Sequence, residues 1–439
     1  MVKTPLPYLK AIKNSKQLYV DGKPFLILGC ELHNSSSSTI GYLENIWLKI
    51  VDYNINTIFL PITWEQFEPQ ESVYDYELLD GILNGARKHG LHLVLLWFGS
   101  FKNGESSYVP SWVKQSPLRF PRTKIRVDGK LVFSRTLSVF TETNLSADLK
   151  AFQALMTFLK KADEQRTVLL VQVENESGVL GDSRDRCDAA NKAFAENVPE
   201  TLTIYVKSIQ TSEPFQTRFP RIHSGTWEST FGEGENTDEI FMAWHYARYI
   251  DKIAAAGKEI YPIPMYVNAW LNSADSTGAS GGSHPGFYPS GGVLPHTLDV
   301  YQSACNHIDI FSPDIYADQY DEFCALYRHN GNPLLIPEQR RDYYGAERIF
   351  GAIATHKAIG VSPFGIDSIW KESVLFKAHY NMLRQVAPMV LKSTRRRRFG
   401  WISFSRDWKC QGDYTCVWEH CGETSIGSEH LELHKAASD

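Results

Sequence analysis

The chain has 439 residues, 43% of them hydrophobic and 22% charged, with a formal net charge of −5. That length suits one large domain with an appendage, or two modest domains, and the mix is that of an ordinary globular protein. The charge excludes a bulk electrostatic pull toward nucleic acid, and no apolar run is long enough to span a bilayer.

The N-terminus, Met1-Val-Lys-Thr-Pro-Leu-Pro, lacks the apolar core of a signal peptide, so a cytoplasmic location is expected. Leu18 to Phe25 then carries Asp21-Gly22 between apolar pairs, the signature of a hairpin that would cap the floor of a barrel. Eight strand candidates follow, at 25–30, 57–62, 92–98, 168–173, 263–267, 308–311, 334–336 and 361–366. Several are continuous apolar runs, as in strands buried on both faces.

Helical patterns alternate with them. Leu79, Ile82, Leu83 and Ala86 recur at helical spacing, with Gly90 as a stop. Leu149, Phe152, Leu155, Met156 and Leu159 form a second stripe. Thr237 is expected to cap a third helix, with Ile240, Trp244, Ala247, Ile250 and Ile253 along one face, and 343–355 is a fourth. The alternation predicts a (β/α)8 TIM barrel.

Long loops at 99–147, 174–236 and 271–294 leave the carboxyl ends of strands three, four and five, where such barrels build their sites. The segment Ser273 to Pro295 is rich in Gly, Ser and Pro, and reads either as a lid or as a flexible insert. The barrel is expected to occupy residues 1–390. Residues 391–439 would be a short irregular tail, the remnant of a β-rich domain. It holds the basic run Arg395 to Arg398, and Cys410, Cys416, Cys421, His420, His430 and His434, whose spacing fits no common zinc site. Seven cysteines make an odd set; Cys30, Cys187, Cys305 and Cys324 read as scattered reduced thiols.

The chemistry gathers at two points. Val171-Gln-Val-Glu-Asn-Glu-Ser-Gly178 and Leu334-Leu-Ile-Pro-Glu338 are apolar runs ending in carboxylates. Acids at the ends of two separate barrel strands are what glycosidic cleavage requires: Glu176 to protonate a leaving oxygen, Glu338 to attack the sugar carbon. Asn175 would hold a sugar hydroxyl, and strand alternation turns Glu174 away from this set. Bland readings stand beside these: a solvated Glu-Asn-Glu loop, and an ion pair of Glu338 with Arg340 or Arg341.

Further motifs carry a resemblance. They are Glu31-Leu-His-Asn-Ser-Ser-Ser, Pro61-Ile-Thr-Trp-Glu-Gln-Phe-Glu-Pro-Gln-Glu and Leu95-Leu-Trp-Phe-Gly-Ser-Phe-Lys-Asn. Tyr108-Val-Pro-Ser-Trp-Val-Lys, Gln172-Val-Glu-Asn-Glu-Ser-Gly and Tyr288-Pro-Ser-Gly-Gly extend it. Together they resemble the glycoside hydrolase family 35 β-galactosidases over roughly residues 10–390, most nearly a microbial and fungal branch. The resemblance implies Glu176 as acid/base, Glu338 as nucleophile, and no cofactor or metal. It also implies a substrate-binding set of Asn175, Glu31, His33, Trp64, Glu65, Trp97, Asn103, Asn268, Trp270, Tyr316 and Trp370. Tyr316 would hydrogen-bond Glu338, while Glu31 and His33 either reach substrate or brace the first loop. Trp64, Trp97 and Trp270 have a competing reading as core aromatics. In strand three, Trp-Phe-Gly-Ser replaces the Glu of better-known members.

The expected function is a retaining exo-glycosidase acting on terminal β-D-galactosides. Its rivals are a glycosidase for an arabinopyranoside, glucoside or xyloside, and a non-catalytic carbohydrate-binding barrel. A metal-dependent sugar isomerase fits less well, because His33, His92 and His307 are dispersed. The partner is a carbohydrate, with no nucleic acid or membrane; a homo-oligomer is left open.

Overall fold

The computed structural model describes residues 5–13, 15–273, 281–368 and 374–393. Trp370 and the tail cysteines and histidines lie outside these described residues. A ring of parallel strands forms the centre: Ile27–Glu31, Thr57–Thr63, His92–Lys102, Val168–Asn175, Met265–Trp270, Ile310–Ile315, a split seventh strand, and Gly360–Val361. The seventh reads Leu335–Ile336 and Glu338–Gln339 because Pro337 has no N–H for the ladder. Its first half pairs with the eighth strand and its second half with the sixth. The eighth pairs with the first, so the ring closes as a (β/α)8 barrel.

Alternation along the strands sorts side chains between two apolar layers. Phe59, Val94, Leu96, Phe98, Leu170, Tyr266, Ile310 and Leu335 fill the barrel interior. Ile58, Leu60, Leu93, Leu95, Val171 and Val173 face outward to the helices. The outer core is completed by Glu77–Lys88, Glu142–Ala162, Glu235–Ile260 and Tyr343–Ala354, the four helices expected from the periodicity.

The N-terminal hairpin is present as Ser15–Val20 and Lys23–Pro24, with Asp21 at φ 51° and Gly22 at φ 73°. Both turn residues are left-handed, the conformation Asp-Gly tolerates in a type I′ turn. Leu18 and Val20 pack into the interior cluster, so the hairpin closes the barrel floor. Leu18 is fully buried there. Leu18→Ala is expected to cost about 2–5 kcal/mol, read as a lower unfolding midpoint in denaturant, with the substrate end of the barrel untouched.

Some boundaries differ from expectation. The fifth and sixth strands run on to Trp270 and Ile315. They carry polar Asn268 and Asp314 inward, where the Asn268 amide donates to one Asp314 oxygen. The third long helix starts at Glu235 with Gly234 as its cap, and Thr237 instead donates its hydroxyl to the Gly232 carbonyl. The described cysteines Cys30, Cys187, Cys305 and Cys324 are free thiols. Among the described residues no helix is long and apolar enough to cross a membrane.

Candidate active site

The carboxyl ends of the fourth to seventh strands place four polar groups against one another. One oxygen each of Glu176, Asp314 and Glu338 lies within 4.8 Å of the others, and all three residues are buried. Glu176 leaves its strand at φ 44°, a left-handed conformation uncommon for a side chain with a Cβ. Gly178 follows, where a Cβ would sit 2.4 Å from the Pro289 carbonyl carbon. Val179 and Ser290 exchange backbone hydrogen bonds at 2.9 and 2.8 Å. The Glu-Asn-Glu-Ser-Gly and Tyr-Pro-Ser-Gly-Gly motifs are thus two halves of one packed loop pair, and the close contact holds the strained Glu176 in place.

Three donors converge on Glu338. Tyr316 donates its hydroxyl at 2.8 Å, and the amides of Asn175 and Asn268 each lie at 3.4 Å. This is the setting of an ionised carboxylate. Asn268 also donates to Asp314 at 2.7 Å and accepts the Glu176 backbone N–H at 3.0 Å. One amide therefore fixes the relative positions of three acids. Burial, and then the charge of Glu338, push Glu176 up to about 8, while Lys102 pulls the other way. Burial and the same neighbour raise Asp314 well above the usual carboxylate range.

Lys102, at the end of the third strand, is 6% exposed and stands over the Phe98 ring at 4.8 Å. Burial alone would lower its ammonium. The carboxyls of Glu338, Glu176, Glu31 and Asp314 outweigh that and raise it. Lys102 therefore acts on the clustered acids through its charge. Sequence reasoning missed this residue. The ladder between strands three and four slips its register between Trp97 and Lys102, yet Lys102 lies four residues after inward-facing Phe98 and keeps its parity. A charged residue closing an eleven-residue buried strand was the available signal.

The other expected site residues divide. Glu31 is fully buried and its carboxyl faces Glu338. Trp270 ends its strand half-exposed, with its indole N–H on the Gly281 carbonyl at 3.2 Å. Asn103 occupies the tight turn after Lys102 at φ 52°. His33 takes the bracing role: its ring meets Ser368 at 2.8 Å and the Arg341 guanidinium at 3.3 Å, tying the first loop to the last.

Three expectations are corrected. Trp97 shares outward parity with Leu93 and Leu95, and its indole N–H donates to Asp148 at 2.9 Å behind the sheet. Trp64 is fully buried in the same outer core and donates to Glu68 at 2.7 Å. Glu65 lies on the surface in an ion pair with Lys114 at 2.8 Å. Glu174 points outward, against the alternation set by outward Val171 and Val173, where the backbone turns left-handed at φ 64°, and accepts backbone N–H groups of Ser100 and Phe101 at 3.2 and 2.7 Å. Burial and the adjacent Asp148 raise it well above the carboxylate range. Its raised value is a packing consequence, outside the pocket.

A search of curated proteins finds no match. Among solved structures, the β-galactosidase from Bacillus circulans sp. alkalophilus superposes with a TM-score of 0.56 at 15% identity, covering 83% of this chain and 57% of that one. The cold-adapted β-galactosidase from Rahnella sp. R3 gives 0.53 at 14%, covering 83% and 57%. The β-galactosidase from the psychrophilic Marinomonas ef1 gives 0.53 at 13%, covering 84% and 61%. At such identities the likeness is one of fold, and this chain spans less than two thirds of the length of each. The sequence profile described as "Glycosyl hydrolases family 35" matches residues 17–249, more than half of the chain. With its barrel and its paired acids on strands four and seven, the chain belongs to glycosyl hydrolase family 35.

Proposed function

We propose that this chain is a retaining glycosidase that removes terminal β-D-galactosyl units by double displacement. The observation that carries the reading is the separation of the acids: oxygens of Glu176 and Glu338 lie within 4.8 Å. Retaining enzymes hold their carboxyl groups about 5–5.5 Å apart, whereas inverting enzymes leave room for a water between them at roughly 6.5–9.5 Å.

In the first step an oxygen of Glu338 attacks the anomeric carbon as the glycosidic C–O bond breaks. The Glu176 proton passes to the departing oxygen, and a glycosyl ester of Glu338 forms. In the second step water attacks the same carbon, Glu176 takes the proton from that water, and Glu338 leaves as a carboxylate. Tyr316, Asn175 and Asn268 hold Glu338 aligned throughout. Galactose as the sugar rests on the family and on the names of the fold neighbours. The strand-three segment, with Lys102 facing the acids, leaves an arabinopyranoside, glucoside or xyloside as the second reading.

A panel of para-nitrophenyl β-glycosides tests both. The β-galactoside is expected to give the highest kcat/KM, and proton NMR is expected to show the β-anomer as first product. Preference for another sugar would select the second reading. An α-anomer formed first would sink the retaining mechanism itself.

A further inference from the structure

Glu31, Glu176, Asp314 and Glu338 share one buried pocket with Lys102, and none of the five is more than 6% exposed. Four carboxylates against one ammonium would leave three uncompensated charges away from water, which desolvation forbids. Some of the acids must therefore carry protons, and the donors around each decide which. Glu338 has three donors. Asp314 has the Asn268 amide on one oxygen and Glu176 against its carboxyl. At Glu31, among the described residues, no donor comes within hydrogen-bond distance of either oxygen, although both atoms are wholly buried.

A carboxylate with no donor is the costliest state available in such a place, whereas a carboxylic acid needs only an acceptor for its hydroxyl. The neighbouring acceptor is Glu338. The other groups facing Glu31 are Lys102 and Glu176, with the hydroxyls of Tyr316 and of Tyr266, which reaches across the barrel from the opposite strand. None of them gives Glu31 the donors that Glu338 enjoys. Burial, followed by the charge of Glu338, acts in the same direction by raising Glu31 well above the carboxylate range.

We propose that Glu31 stands in the resting site as a neutral carboxylic acid whose hydroxyl donates to Glu338, a positioning residue that keeps the nucleophile ionised and aligned. The pocket then holds one negative charge, on Glu338, matched by one positive charge, on Lys102. The inference rests on Glu338 being the nucleophile. It differs from a sugar-binding role, in which an ionised Glu31 would accept hydroxyls from substrate.

Two variants and one spectrum test it. Glu31→Gln keeps a donor of the same reach, while Glu31→Leu keeps bulk and removes the donor. On the best para-nitrophenyl glycoside, the Leu variant is expected to lose about ten- to hundredfold in kcat, the effect of one hydrogen bond to a charged group, with KM little changed. Its acidic limb of kcat/KM should move to higher pH, because a donor that favoured the charged nucleophile is gone. The Gln variant should recover most of that loss and restore the limb. Equal damage in both variants, or an unmoved limb in the Leu variant, overturns the proposal.

Infrared difference spectra at pH 7 supply a readout without turnover. A protonated-carboxyl band present in wild type and missing from Glu31→Gln supports the neutral acid. Identical carboxyl bands in the two proteins overturn it. This arm stands if the Leu variant fails to fold. If no glycoside on the panel is turned over, the nucleophile assignment fails, and the spectrum still decides whether Glu31 is protonated.

Discussion

Glu338→Gln is expected to lower kcat by about 10⁴-fold or more, because a carboxamide cannot form the glycosyl ester on which double displacement depends. The substitution preserves shape, but the carboxamide's NH2 meets the hydroxyl of Tyr316 or the amides of Asn175 and Asn268, which are all aimed at an acceptor. It also leaves the Lys102 ammonium without its best-hydrogen-bonded counter-charge. A modest loss of stability is therefore expected beside the large loss of activity, and circular dichroism separates the two. A 2-fluoro glycoside that accumulates the ester should add one sugar mass to wild type on the peptide holding Glu338, and none to the variant. Retained turnover in a folded Gln variant would remove Glu338 from the mechanism.

Glu176→Gln is expected to cost about 10²–10⁴-fold in kcat/KM on substrates whose leaving oxygen needs a proton, and far less with an activated leaving group. The direction of its pH dependence follows from its environment. Glu176 is held up to about 8 by burial and by Glu338, so it stays protonated at neutral pH, and wild-type activity should fall as pH rises through about 8. The Gln variant should lack that basic limb. The same shift bears on stability. A carboxyl raised in the folded state contributes stability that is fully present below its unfolded value and is lost as pH rises through the folded one. Unfolding midpoints of wild type should therefore decline between the ordinary carboxylate range and pH about 8, and the Gln variant should decline less. A wild-type profile flat to pH 9 would refute Glu176 as the acid.

Much of the architecture was legible before any coordinates. The eight apolar runs, the four helical stripes and the Asp21-Gly22 turn are local patterns, set by a period of two or 3.6 residues and by which residues tolerate left-handed backbone. The pair Glu176 and Glu338 was legible because each carboxylate closes an otherwise apolar run, at the end of a barrel strand where such folds build their sites. Outward-facing Glu174 did not follow from alternation, which puts residues two apart on one face; a left-handed φ of 64° turns it away.

Residues whose surroundings depend on the assembled strands were not legible. Trp97 and Trp64 look like sugar platforms in a list of aromatics, yet parity sends both to the outer core, where their indole nitrogens find Asp148 and Glu68. Lys102 keeps the inward parity of Phe98 across the irregular ladder after Trp97, but only the assembled barrel brings its ammonium and the buried acids to one end. Asn268 became the hub of the site only when strands four, five, six and seven were brought side by side. By itself the sequence determined the barrel and its two principal acids, since both follow from the local period of apolar residues. Tertiary structure alone decided which charges share the pocket and which of its carboxyls carry protons. Burial and donor count are properties of the assembled strands, and only once the ring is closed is Glu31 buried with no hydrogen-bond donor on its carboxyl among the described residues.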